Sequence, residues 1–222
     1  MSPIFKKQER ITLKTQALNE IKRAIQNGKL RAGDRIVETK LAEEMGMSKF
    51  PIREAIRYLE KEGLVVSVPF KGTYVSRFDE RDVEELYTLR SALEELAIRL
   101  FMGRVNESKV EKLETILRQM QKAAKEQKLD KMVSADMQFH RTICELSEHR
   151  KLLGIWLTLE NQTKSFISRE GDSYERQNKL VETHHPILKA IKSGDSQLAE
   201  KSIRNHLIQA LVLLKNLYKK NL

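Results

Sequence analysis

The chain has 222 residues, which is enough for one or two domains that each bury a core. Hydrophobic residues make up 40% of it, so a disordered chain is not expected. The single cysteine, Cys144, excludes an intrachain disulfide and fits a reducing compartment. We find no signal-peptide pattern and no apolar run long enough to span a membrane, so the sequence predicts a cytoplasmic protein.

The formal net charge of +10 is concentrated in the first third of the chain. Residues 1–77 hold 16 Lys and Arg against 9 Asp and Glu, whereas residues 78–222 hold 25 against 22. The first third is therefore the candidate surface for a polyanion such as DNA. Charge alone is equally compatible with an ordinary basic surface.

The first third begins with three predicted helices. Apolar residues recur at helical spacing in residues 11–26, 38–45 and 48–62. Ser48 is placed to cap the third helix through its hydroxyl, and Pro51 falls in the first turn, where a missing N–H costs nothing. The second and third segments, separated by a short turn, predict a helix-turn-helix.

A predicted β-hairpin follows, since residues 64–68 and 73–76 are strand-like and flank a Gly-containing loop. A hairpin directly after a helix-turn-helix is a wing. In such a module the N-terminus of the third helix fits the major groove, and an Arg there can pair bidentately with guanine. Arg53 and Arg57 lie between the apolar positions of the third helix and should share its exposed face. A solvated helix beside an ordinary hairpin is the alternative interpretation.

The residues of this region also resemble a known family. The run LAEEMGMSKFPIREAIRYLEKEGLV at residues 41–65 looks like the signature of the GntR family of repressors, and Pro69-x-x-Gly72-x-x-Val75 resembles the wing of that family. The similarity covers about residues 10–77. It implies that the family's DNA-contacting positions are occupied here by Ser48, Lys49, Arg53 and Gly72.

The chain departs from the family pattern at three positions in this region. The family usually has Arg in place of Lys49 and Thr in place of Phe50, and often has Arg in place of Thr39. Lys is a point charge rather than a bidentate fork, so we expect an operator sequence different from the common one. The full set of candidate DNA contacts is Thr39, Ser48, Lys49, Phe50, Arg53, Arg57, Lys71 and Gly72.

The remainder of the chain is predicted to be all helical. Six segments have helical periodicity, with breaks at Gly or Asn residues, at 80–102, 107–126, 129–147, 151–168, 174–193 and 195–219. They predict an antiparallel six-helix bundle. The whole chain is then a mainly α protein with a winged helix-turn-helix domain at 1–77 and an all-helical domain for effector binding, metal binding and dimerisation at 78–222.

Four ionisable residues lie on the apolar stripes of these helices, namely Asp136, His140, His184 and His206. Burial of such groups is costly unless they pair or bind a metal. Three imidazoles and a carboxylate suit zinc, and could suit nickel, manganese or iron nearly as well. Separately hydrogen-bonded core residues are the alternative, and spacing alone does not decide between the two.

The helical region resembles the FadR-type C-terminal (FCD) ligand-binding domain of one large GntR subgroup, and six helices suit its VanR-like branch. The motifs that carry the resemblance are Leu89-Arg90-x-x-Leu93-Glu94-x-x-Ala97, Asp136-x-x-Phe139-His140, His184-x-x-Ile187-Leu188-x-Ala190-Ile191-x-x-Gly194-Asp195 and His206-Leu207. The resemblance implies a divalent metal on the Asp and the three His, with Arg90 facing the carboxylate of an effector.

This region also departs from its family. The subgroup usually has Asn in place of His149 and Glu in place of Thr183, which makes the effector harder to infer. His185 directly follows His184, so an exchange of the two as ligands is conceivable, although the apolar positions that follow favour His184.

The sequence therefore predicts a transcriptional repressor rather than an enzyme. We expect a homodimer that binds a pseudo-palindromic DNA operator and responds to a small organic acid at its metal site, with no membrane partner. A metal hydrolase is disfavoured because Asp136 and His140 form the only acid–base pair that the pattern places, with no nucleophile elbow or phosphate-binding glycine loop. An architectural DNA protein would not explain the polar cluster. A purely structural metal without an effector stays open.

Overall fold

The computed structural model describes residues 12–77, 79–169 and 174–220. The chain divides into two compact units, Met1–Arg77 and Phe78–Leu222. Within the described residues, no helix combines the length and the apolar character that crossing a bilayer requires.

The N-terminal unit is a winged helix-turn-helix, as predicted. Its elements in chain order are α1 (Leu13–Gln26), β1 (Arg35–Ile36), α2 (Glu38–Met45), α3 (Lys49–Lys61), β2 (Val65–Val68) and β3 (Gly72–Val75). The three strands form an antiparallel sheet in the order β1-β3-β2, in which β2 and β3 are the predicted hairpin. The strand β1 was not predicted, because two residues carry no recognisable alternation.

The two helix starts in this unit behave differently. At α1, the hydroxyl of Thr12 accepts a hydrogen bond from the backbone N–H of Thr15 at 3.1 Å, and residue 11 of the predicted helix lies outside the described residues. At α3, Ser48 occupies the N-cap position, but its hydroxyl makes no capping hydrogen bond. The predicted cap is therefore right in position and wrong in its bond. Pro51 does lie in the first turn of α3, and it is buried.

The apolar stripes of α1 and α3 face each other and form the core of this unit. Ile21, Ile25, Ile52 and Leu59 are fully buried there. Because these positions point inward, the positions between them point to solvent. Burial on one side of α3 thus sets the exposed side that carries the candidate DNA contacts.

The C-terminal unit is entirely helical within its described residues. Its helices are α4 (Glu80–Met102), α5 (Glu107–Lys125), α6 (Leu129–Leu146), α7 (Arg150–Arg169), α8 (Tyr174–Glu182), α9 (His185–Ser193) and α10 (Ser196–Lys220). Helix α10 packs along α4, and α6 packs against α4, α5 and α7. The large buried side chains of this core include Phe101, Met120, Phe139 and Trp156.

The prediction of one helix over residues 174–193 is wrong, because the segment forms two. Helix α8 ends at Glu182, and α9 begins at His185 with Pro186 in its first turn. Proline has no N–H to donate and its ring clashes with the carbonyl four residues earlier, so a helix cannot run through it without a kink or a break. The break places His184 at the junction between α8 and α9.

Candidate DNA-reading surface and candidate metal centre

The predicted DNA contacts lie on the surface of the N-terminal unit. On α3, Lys49, Phe50, Arg53 and Arg57 are all exposed. Thr39, Ser48 and Lys71 are exposed as well, and Gly72 is half-buried. The structure therefore places these side chains where a duplex could reach them.

Arg53 points outward and is held by an acidic residue of the preceding helix. Its Nε and Nη2 donate hydrogen bonds to Glu38 at 3.1 and 2.9 Å, and the Glu38 carboxylate raises the pKa of the guanidinium. The Arg53 side chain keeps 53% of its surface exposed. Glu38 thus ties α2 to α3 and limits the orientations that Arg53 can take.

Gly72 has a structural reason to be glycine. Its φ is +120°, and a Cβ at this position would lie 3.1 Å from Nε of Arg35. Both the backbone conformation and the close guanidinium favour a residue without a side chain. A contact between Gly72 and DNA stays a prediction.

Four buried side chains meet in the C-terminal unit. Asp136 and His140 come from α6, His184 from the junction between α8 and α9, and His206 from α10. One ligand atom from each lies within 4.8 Å of the others. They therefore form one cluster, and metal binding by it stays a prediction.

Each imidazole of the cluster is bound through its outer nitrogen. Nδ1 of His140 lies 2.5 Å from Oε2 of Glu94, and Nδ1 of His184 lies 3.0 Å from the carbonyl oxygen of Leu180. Carboxylate and carbonyl oxygens only accept, so both Nδ1 atoms carry a hydrogen, and in the neutral form of each ring Nε2 is the nitrogen with the lone pair.

His206 follows the same pattern through a hydroxyl. Its Nδ1 lies 2.7 Å from Oγ1 of Thr183, and that hydroxyl donates its one hydrogen to the carbonyl of Leu180 at 2.6 Å. Nδ1 of His206 must then be the donor, so in the neutral ring Nε2 carries no hydrogen. The Thr183 departure from the family pattern therefore supplies a partner for His206.

If all three imidazoles are neutral, their Nε2 atoms and the Asp136 carboxylate offer four lone pairs to one another. Nε2 of His206 lies 3.0 Å from Nε2 of His140, and Nε2 of His184 lies 3.1 Å from Oδ1 of Asp136. Both Asp136 Oδ1 and His184 Nε2 lack a hydrogen-bond partner among the described residues. Facing lone pairs at these separations repel unless a cation lies between them.

The protonation states of Asp136 and His206 favour the binding of a cation. Burial acts to raise the pKa of Asp136, but the neighbouring His184, His140 and Arg90 outweigh it, so the pKa lies below its usual range and the carboxylate is ionised. Burial and the nearby positive groups together hold the pKa of His206 well below its ordinary value. A neutral imidazole and an ionised carboxylate are the forms that bind metals.

A second layer of buried residues supports this cluster. Arg90 donates from Nε to Oε1 of Glu94 at 3.0 Å, and Trp156 donates from Nε1 to the same oxygen at 2.8 Å. Although burial opposes the charge on Arg90, the Glu94 carboxylate raises its pKa, and His140 and Arg90 lower the pKa of Glu94 to about 2. Glu94 therefore fixes the orientation of His140 as a charged acceptor.

Sequence reasoning gave no role to Glu94 or Trp156. The signal for Glu94 was available, because Arg90 and Glu94 lie on the buried stripe of α4, four residues apart. The test that identified the four cluster residues, an ionisable group within an apolar stripe, would have found this pair too. Trp156 offered no such signal, since a tryptophan in a core needs no further explanation.

The remaining singled-out residues lie outside the cluster. His185 is exposed and contacts Gln121, so it does not exchange with His184. Nδ1 of His149 accepts from the backbone N–H of Leu152 at 3.2 Å, which is how an Asn would bind at the start of α7. Cys144 is buried, and burial raises the pKa of its thiol, so it stays protonated.

We expect replacement of Glu94 by Gln to lower the free energy of unfolding by about 3 kcal/mol at pH 7, because Arg90 stays buried without a counter-charge. The pKa of Glu94 falls from 4.5 to about 2 on folding, so its stabilisation is complete above pH 4.5 and is lost as the pH falls towards 2. Urea titrations should show the difference between the wild type and E94Q shrinking over that range. E95Q is the matched control, and an equal loss in it would contradict the prediction.

Comparisons with known proteins agree with both halves of this description. Residues 13–75 match the model of the gntR family of bacterial regulatory proteins, and residues 85–209 match that of the FCD domain. The chain is 31% identical to the uncharacterized HTH-type transcriptional regulator YdhC of Bacillus subtilis, over 86% of each chain. It is also 31% identical to the gluconate operon transcriptional repressor of Bacillus licheniformis, over 84% of this chain and 79% of that one.

Among solved structures, McbR/YncC of E. coli has a similar fold, with a TM-score of 0.80 at 22% identity over 94% of this chain and 100% of that one. The matches extend through both compact units. The chain therefore belongs to the GntR family of DNA-binding transcriptional regulators and carries an FCD domain.

Proposed function

We propose that this chain is a homodimeric repressor whose affinity for a pseudo-palindromic operator is controlled by a small carboxylate bound at a divalent metal. The ligands of the metal are Asp136, His140, His184 and His206. The observation that carries the proposal is the convergence of these four buried side chains, whose ligand atoms lie within 4.8 Å of one another. Two of those atoms, Oδ1 of Asp136 and Nε2 of His184, have no hydrogen-bond partner among the described residues. A regulator of this kind acts on the chromosome and therefore in the cytoplasm.

The donor set fits zinc, and it also fits nickel, manganese or iron. Three imidazole nitrogens and one carboxylate oxygen lie within 4.8 Å of one another, which is close enough for them to hold one ion. A bound divalent ion supplies positive charge and can accept an oxygen ligand from a small acid. The chain supplies the orientation, through Glu94, Thr183 and the Leu180 carbonyl.

We expect protein purified without chelator to hold about one metal ion per chain, measured by elemental mass spectrometry. Chelation should lower the melting temperature by about 5 °C or more, because the ion binds only the folded state. H184A should lose the metal and the chelator response. The neighbouring variant H185A should keep both, and metal retained at full occupancy in H184A would contradict the assignment.

Arg90 is the residue that we propose for the carboxylate of the effector. It is fully buried beside the cluster, and its Nη2 makes no hydrogen bond of good geometry within the described residues, although it lies 2.9 Å from Glu94. A buried N–H donor of this kind is costly unless a ligand uses it. The relative that represses a gluconate operon adds support, because gluconate is itself a small carboxylate.

Isothermal titration of metal-loaded protein with a panel of small carboxylates tests the proposed binding of an effector at Arg90. At least one acid should bind and weaken operator affinity, and R90Q should lower the affinity for that acid about tenfold or more through the lost charge-assisted hydrogen bonds. A panel that neither binds nor changes operator affinity would leave the metal with a purely structural role.

A catalytic role finds no support in the cluster. Nδ1 of His140 is bound to Glu94, and its Nε2 faces the other ligands, so neither nitrogen is left as a free base. An architectural DNA protein would bind without sequence preference, whereas a regulator protects a discrete site in a footprint.

We propose that Arg53 is the main base-reading residue of α3. R53A should weaken binding to the operator by about 5- to 100-fold, which is the discrimination expected of one bidentate Arg–guanine pair. R23A is the matched control, since Arg23 is an exposed arginine on α1. Equal losses in both variants, measured by fluorescence anisotropy at one salt concentration, would indicate a purely electrostatic contribution instead.

The dimer contact that we propose lies on the outer face of α4. Leu89 and Leu96 are 45% and 37% exposed, and exposed Ala92 lies between them, where a small residue allows two helices to approach. Glu85 and Arg99 lie seven residues before and after Ala92. Two α4 helices packed antiparallel about Ala92 would therefore align the leucines and bring Glu85 of one copy towards Arg99 of the other.

We expect L96E to shift the protein from dimer to monomer in sedimentation velocity, because the new charges would be buried against each other. Operator binding should fall with it, since one reading head offers only a small interface. L13E carries the same charge change on α1 and should remain a dimer. A monomeric wild type, or a dimeric L96E, would rule out this face.

A further inference from the structure

The tip of the wing carries a fully exposed aromatic residue that the sequence analysis did not single out. Phe70 has a relative exposure of 108%, the highest among the exposed large hydrophobic residues of the described chain. Its backbone φ is +62°, a conformation that bulky residues rarely adopt. A large apolar ring in contact with water and on a strained backbone contributes nothing to the folded unit that would explain its presence.

The turn formed by residues 68–71 makes a phenylalanine at position 70 more unusual. The N–H of Lys71 donates to the carbonyl of Val68 at 3.0 Å, so residues 68–71 form a β-turn with Pro69 in its second position and Phe70 in its third. Proline at the second position and positive φ at the third are typical of a type II turn, in which glycine or asparagine ordinarily occupies the third position. Strain of this kind is concentrated at functional sites.

The surroundings of Phe70 indicate what it contacts. Exposed Lys71 follows it directly, and the hydroxyl of Tyr74 donates to the Lys71 carbonyl at 3.0 Å, which steadies the tip. On the opposite strand, the Arg35 guanidinium lies against Gly72. An apolar ring next to Lys71 in the chain, with the Arg35 guanidinium at Gly72 of the same wing, suits a groove lined by phosphates and floored by stacked bases.

We infer that Phe70 is a minor-groove wedge, whose ring enters between two base pairs beside the site bound by α3 while Lys71 and Arg35 contact the flanking phosphates. This inference rests on the proposed operator binding. Apolar side chains that enter the minor groove partly unstack a base step and kink the duplex towards the major groove. Phe70 then selects for easily unstacked pyrimidine–purine steps without a hydrogen bond to any base.

The test uses the full-length protein and an operator that it selects from a random DNA pool. Circularly permuted fragments of that operator report the bend angle, and 2-aminopurine at the step facing the wing reports unstacking. We expect the wild type to bend the operator and to raise 2-aminopurine fluorescence. F70N should abolish both effects and weaken binding about tenfold, which corresponds to the loss of one stacked ring.

Two further variants separate a wedge from a structural role. F70L keeps an apolar side chain and should retain most of the bend, whereas K71A should weaken binding and reduce its salt dependence while the bend stays. F70N should melt no lower than the wild type, because asparagine tolerates positive φ.

Bend and affinity unchanged in F70N would overturn the wedge while leaving operator binding intact. A wild type that enriches no sequence from the pool would overturn the proposed operator binding and the wedge together.

Discussion

The C-terminal unit is organised around one electrostatic constraint, which is that three imidazoles and a carboxylate are buried within 4.8 Å of one another. Each imidazole is held in place from outside, by Glu94, the Leu180 carbonyl or Thr183. These contacts come from helices far apart in sequence, so the arrangement requires the bundle to be fully packed. The free energy of packing therefore offsets the cost of burying these ionisable side chains together.

Much of this cluster could be predicted from the sequence, because each ligand lies on the apolar stripe of its helix and helical periodicity is a strong signal. What the sequence could not give was the register between helices that are far apart along the chain. The contact between Nε2 of His140 and Nε2 of His206 depends on how α6 and α10 each pack against α4. The hydrogen bond between Thr183 and His206 likewise joins residues 23 positions apart, so the sequence alone did not predict it.

The errors in predicting the fold have identifiable causes. The apolar pattern of the segment 174–193 continues on both sides of Pro186 and therefore predicts a single helix. The steric effect of Pro186 nevertheless ends α8 and starts α9. Ser48 was expected to cap α3 through its hydroxyl, and the structure shows that the position alone does not ensure the bond. Phe70 lies in the predicted loop of the hairpin, and its positive φ and full exposure are properties of the turn that the sequence pattern does not reveal.

Helix α4 contributes to the C-terminal unit on two opposite sides. Its inner side carries Arg90 and Glu94, which adjoin the cluster, and its outer side carries the leucines that we propose to join two copies. A small acid that draws Arg90 away from Glu94 would weaken the hydrogen bond between Glu94 and His140. It would also shift α4, the helix that we propose to contact the second copy. The ligand signal would then cross a single helix diameter, about 10 Å, with no relay of intervening elements.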